Sequence, residues 1–116
     1  MKNTYSIKKN STLKYVLKKG KYCNSKHIVI HFTENSFDKN LLGICVSKKN
    51  GNSVQRNKMK RWAREVYKIE EQYLKKGINI IILYKKETII DKIDFNIVKD
   101  EVIKCLKELN LYEENN

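Results

Sequence analysis

The longest apolar run in the chain, Ile78 to Tyr84 (INIIILY), carries four isoleucines and is interrupted only by Asn79. Preceded by Gly77 and followed by two lysines, it predicts a strand buried in a sheet. At seven residues it is far too short to span a bilayer. The rest of the chain has to supply its neighbours and its cover. With 116 residues, 41% of them hydrophobic, residues 1–116 are expected to fold as one domain around one core.

Periodicity supplies the other elements. HIVIHFT alternates, so within an extended stretch over 21–33 Ile28, Ile30 and Phe32 share one face while His27, Val29, His31 and Thr33 share the other. LLGICVS (41–47) alternates too, with Leu42, Ile44 and Val46 opposite Leu41, Gly43, Cys45 and Ser47. Three of those last four are small, which leaves room either for a bound group or for a closely packed helix. Helices are predicted over 12–19, capped by Asn10 or Ser11 with Leu13, Val16 and Leu17 inward, over 53–73, and over 95–109. In the last, Ile97, Val98, Val102, Ile103, Leu106 and Leu109 face inward, and Asp91 and Asp94 precede it as capping candidates. Residues 1–10 read as a flexible basic arm, 34–40 as a loop and 110–116 as a frayed acidic tail. This order of elements predicts a small α/β (α+β) two-layer sandwich, its helices packed on one sheet face.

Charge then narrows the partners. The net charge is +12, but residues 1–64 hold sixteen Lys/Arg against only Glu34 and Asp38, whereas residues 65–116 carry a small net negative charge. Such asymmetry points to a localised polyanion-binding surface, nucleic acid before an anionic membrane. The start, MKNTYSIKKNS, lacks the apolar core of a signal peptide. Cys23, Cys45 and Cys105 are odd in number and form no C-x-x-C pair, which fits reduced thiols and a cytoplasmic protein.

The cations concentrate in SKKNGNSVQRNKMKRWARE (47–65), with seven Lys/Arg between Lys48 and Arg64 and no acid among them. On a helix opened by the Gly51-Asn52 turn, Arg56, Lys60, Arg64, Asn57 and Arg61 fall within an arc of roughly 140°. Met59, Trp62, Val66, Ile69 and Tyr73 are expected on a nearly opposite arc. An ordinary solvated face interleaves Glu with Lys. Here like charges stack at 56, 60 and 64, near a helix N-terminus whose dipole disfavours them. That arrangement makes sense opposite phosphates, which arginine forks bind bidentately. Such contacts position a backbone and favour a folded RNA recognised by shape.

The turn, the basic helix and the flanking strands together resemble the protein subunit of bacterial ribonuclease P, and the similarity covers nearly the whole chain. The resemblance implies a sheet of about four strands with three helices and a left-handed βαβ crossover, of the ribosomal protein S5 domain 2-like kind. It also implies a partner, the large catalytic RNA that removes the 5′ leader of precursor tRNA with bound Mg2+, the protein itself holding no metal. By position, Lys48, Lys49, Asn52, Arg56, Asn57, Lys58, Lys60, Arg61 and Arg64 would face the catalytic RNA. A cleft between the first helix and the sheet would hold the single-stranded leader, here with Lys9, Leu13, Leu17 and His31. Aromatics often stand in that cleft in the family, so base stacking falls to His31. Lys58 stands where the family has a third arginine-type fork and keeps only the charge.

No catalytic residue is expected in the chain itself. His27 and His31 share a strand face, yet no carboxylate pair, nucleophile triad or metal cluster accompanies them. No small-molecule substrate and no membrane partner are expected. The competing reading is a ribosomal or general structured-RNA-binding protein of similar fold. A DNA regulator would need a dimer or a helix-turn-helix, and neither is apparent.

Overall fold

The buried run does become the middle of the structure. In the computed structural model, residues 3–114 are described, and Ile78–Tyr84 form β5, the central strand of a five-stranded mixed sheet. Around it lie β1 (Thr4–Ser6), β2 (Lys21–Asn24), β3 (Ile28–Glu34) and β4 (Asn40–Cys45), in the order β1-β4-β5-β3-β2. β5 runs parallel to β4 and antiparallel to β3. Three helices complete the fold: α1 (Asn10–Lys19), α2 (Ser53–Glu70) and α3 (Phe95–Glu108). Since α2 connects the parallel neighbours β4 and β5, it is the crossover of a βαβ unit.

Both faces of the sheet are covered, but not by the same layer. Ile28, Ile30, Leu42, Ile80 and Ile82 form the main core with Met59, Ala63, Val66 and Tyr67 of α2 and Val98, Val102 and Leu106 of α3. The expectation of helices on one face therefore holds for α2 and α3 only. α1 lies across the opposite face, where a Cβ on Gly43 would stand 3.4 Å from Leu13 and from Ile7, and 3.5 Å from Ile81. Gly43 thus serves close packing of α1, one of the two uses open to the small residues, while Cys45 ends β4 and Ser47 lies beyond it. This second cover is why Ile81 is as fully buried as Ile80 and Ile82.

Several boundaries differ from the sequence expectation, each for a tertiary reason. The basic arm over 1–10 contains β1, which pairs in parallel with Asn40–Leu42; residues 1–2 lie outside the described residues. β1 is held by a relay in which Asn40 donates to the Tyr67 hydroxyl (3.4 Å), Tyr67 donates to Thr4 (2.8 Å) and Thr4 donates to Glu71. Asn10 and Ser11 are not caps, because α1 begins at Asn10, two residues before the predicted start, with Lys9 as N-cap. The stretch over 21–33 is broken by a turn at 25–27 into β2 and β3. At the other end, the described part of the tail, residues 110–114, is anchored. Leu111 is buried, Tyr112 bridges to Leu74 and donates to Glu70 (2.7 Å); residues 115–116 lie outside the described residues. Asp94 caps α3 as expected, accepting from the Ile97 N–H.

His27 is another departure. β3 starts at Ile28, so His27 escapes the strand alternation and turns to α3. There its backbone N–H donates to Glu101 Oε1 (2.7 Å), and its Nδ1 lies 2.6 Å from Oε2. Burial pushes the Glu101 carboxyl up, but the hydrogen bonds from His27 outweigh it and hold the group below its usual range. A depressed carboxyl contributes stability above its unfolded pKa, and that contribution is lost as pH falls through the folded value. Glu101→Gln should therefore flatten the acid limb of Tm against pH below about pH 5. A variant with the wild-type acid limb would show that this pair does not set it.

Candidate nucleic-acid interface

The basic segment is built from three nested local structures. Ser47 caps a 3₁₀ turn, Lys48–Asn50, by accepting from the Lys49 N–H, and Asn50 closes the box. Gly51 follows at φ 147°, where a side chain would be strained and would strike Gln55. Asn52 then caps α2, exchanging hydrogen bonds of 2.9 Å with Gln55. Lys48 and Lys49 are consequently exposed on a rigid turn at the head of the basic helix. Asn52 spends its side-chain oxygen on the cap.

Nothing in the sequence around Asn50 marks it for a structural role. Its side chain is buried and donates to the carbonyls of Lys85 (2.9 Å), Lys86 (3.2 Å) and Thr88 (3.0 Å), tying the turn to the loop after β5. The signal available beforehand was only an asparagine in a Lys-rich turn, which reads as solvent-facing.

On α2 the buried arc is formed by Met59, Ala63, Val66 and Tyr67. Ile69 and Tyr73, expected inside, are about half exposed, whereas Tyr67 is fully buried. The apolar and basic arcs are thus adjacent rather than opposite, because α2 is gripped by the sheet below and α3 at its side. Arg56 and Lys60 border the core and are half-buried, while Asn57, Arg61 and Arg64 are exposed. Lys68 is also exposed, roughly between Asn57 and Arg61 in helical angle, and extends the cationic face by another turn. Among the described residues, none of Arg56, Lys60, Arg61 or Arg64 forms an ion pair. Lys58 stands apart on the other flank, with its Nζ 5.3 Å from the centre of the Trp62 ring.

The cleft beside α1 joins this face. β1 ends at Ser6 opposite Leu42, so the edge of β4 is uncovered from Gly43 to Cys45. A cleft of about 250 Å³ opens there between Ile7 and Leu13 on one side and Lys60 and Arg64 of α2 on the other. The two surfaces expected separately from the sequence therefore meet at the β4 edge. Cys45 stands in the wall; burial pushes its thiol up, and Lys60 pulls it partly back.

Not all the predicted cleft residues share that space. Gly43, Ile81, His31 and Tyr22 form one row across four strands, which puts His31 roughly 10 Å from Gly43, two strand spacings away. Leu17 is half-buried one turn beyond Leu13. His31 contacts the Tyr22 ring, with centroids 5.6 Å apart and planes tilted by 34°. Burial lowers the His31 pKa, and its buried Nδ1 has no hydrogen-bond partner. Tyr22, an exposed aromatic on β2, adds a ring to this end of the cleft; only its odd-numbered partner in the alternation, His31, stood out in the sequence. Lys9 lies beyond the N-terminal end of α1, in a separate depression with Tyr5 and Phe37.

A mixed α+β domain whose cationic helix face, unpaired among the described residues, runs into an apolar edge cleft has the surface of a polyanion-binding class of protein. The comparisons with known proteins make the class specific. The family model described as Ribonuclease P matches residues 1–110. The ribonuclease P protein component of Natranaerobius thermophilus is 34% identical over 99% of this chain and 98% of its own length. That of Dictyoglomus turgidum is 36% identical over 90% and 88%. The structure of the Staphylococcus aureus RNase P protein superposes with a TM-score of 0.84 at 30% identity, covering 94% of this chain and 98% of that one. The chain belongs to the ribonuclease P protein family, the protein components of that endoribonuclease.

Proposed function

We propose that the chain binds the catalytic RNA of ribonuclease P through α2 and the Lys48–Lys49 turn, and holds the 5′ leader of precursor tRNA in the adjoining cleft. The observation that carries this reading is the meeting of Lys60 and Arg64 with Leu13 and Gly43 at the open edge of β4. One wall offers cations to phosphates, and the other offers apolar surface to bases. A neutral His31 beside Tyr22 is suited to stacking at the far end.

In this reading the RNA performs the hydrolysis, and the protein offsets repulsion between two RNA backbones. Among the described residues no group of three or more His, Cys, Asp or Glu is placed to hold a metal. In this reading Mg2+ belongs to the RNA phosphates, and the chain's cations lower the concentration the RNA needs. The cytoplasm is the compartment this role implies. Adding the protein to ribonuclease P RNA and precursor tRNA at low Mg2+ should restore 5′-leader cleavage. Tight RNA binding with no rescue would favour the general structured-RNA-binding reading instead.

A further inference from the structure

Two exposed aromatic side chains outside that interface share a single depression. Tyr5 on β1 and Phe37 in the loop before β4 are 58% and 60% exposed. They line one depression with Ile7, Lys8, Lys9, Thr12 and Leu41. The loop that presents Phe37 is ordered by an Asx turn, in which Asn35 Oδ1 accepts from the Phe37 N–H (2.8 Å). Lys39 reaches the Asn3 side chain across the same end of the molecule (3.3 Å). Two exposed rings flanked by Lys8 and Lys9, with no acid in the lining, combine a stacking surface with charge complementary to a phosphodiester chain.

The place of this depression gives it an occupant. Ser6 and Ile7 line both it and the edge cleft that holds Leu13, Lys60 and Arg64. A single strand lying in the cleft would pass over Ile7 and reach the rings. We infer that Tyr5 and Phe37 form a second single-stranded RNA subsite, which takes leader bases further from the cleavage site than those in the cleft. The inference rests on the proposed leader-binding role and extends it. Leu13 and Leu17 cannot stack bases, and this subsite places aromatic contacts at the neighbouring end of α1.

The test uses the reconstituted holoenzyme and two forms of one precursor tRNA. One form carries a leader of a single nucleotide and the other a leader of about ten, within the span such surfaces cover. The variant Tyr5→Leu/Phe37→Leu keeps the apolar cover and removes the rings. It should weaken the long-leader precursor by about five- to a hundredfold, the range for lost base stacking. Affinity for the short-leader precursor and for the catalytic RNA alone should not change, and Tyr5→Phe/Phe37→Tyr should behave as wild type. Unchanged long-leader affinity, equal loss for both leaders, or weakened binding of the catalytic RNA would each overturn the subsite. If the wild-type protein neither joins the catalytic RNA nor distinguishes the two leaders, the leader-binding role fails and the subsite with it.

Discussion

Replacing Arg61 and Arg64 together by alanine should weaken binding of the catalytic RNA on the order of a hundredfold at low salt. Both side chains are exposed on α2 and form no ion pair among the described residues. Their loss therefore leaves no buried group unsatisfied and should move stability by less than about 0.5 kcal/mol. Each arginine contributes charge-assisted hydrogen bonds of about 1.5 kcal/mol or more, and two such losses multiply to the stated factor. Two fewer phosphate contacts should also reduce the slope of log K against log salt by about 2. Lys58→Ala, on the Trp62 flank, serves as the internal control and should change the slope by less. Binding titrations across a salt series decide the matter, and a double variant with the wild-type slope would remove this face from the interface.

The second large effect is expected at Asn50, a residue that need not touch RNA. Asn50→Ala deletes donors to three carbonyls of the loop after β5 and the acceptor for the Ser47 N–H. With the side chain 5% exposed, solvent does not replace them. Leaving such groups unpaired costs about 3 kcal/mol in total, or a fall in Tm on the order of 10 °C for a domain of this size. The same change releases the turn that carries Lys48 and Lys49, so RNA affinity should fall while the salt slope is retained. Thermal unfolding within a degree or two of wild type would show that the turn is held some other way.

The contrast between these two sites explains what could be read from the sequence. α2 and α3 are long and periodic and β5 is a near-continuous apolar run, so their limits followed closely from pattern, turn glycines and the Asp94 cap. The cationic face was legible because unpaired like charges are unusual on a helix. What escaped was set by contacts distant in sequence. Thr4 is a strand residue only because Tyr67 and Glu71 receive it, and His27 leaves its strand because Glu101 is there to accept. Tyr67 was missed on the buried arc because helical angle alone does not say which direction the sheet and α3 impose. The union of the cleft with the basic face depends on β1 stopping at Ser6, a property of pairing length that no local pattern encodes.

The place of β5 in the sheet has a consequence for how the molecule is made. Its two neighbours, β3 and β4, both precede it in sequence, and they do not pair with each other. During synthesis from the N-terminus, the sheet has no interior until residue 84 has left the ribosome. By then the whole strongly basic half, α2 included, has already emerged without the strand that organises it. The pairings that remain are long in sequence separation and correspondingly slow to form. The most cationic part of the chain thus waits longest for its scaffold, beside the RNA of the ribosome that produces it.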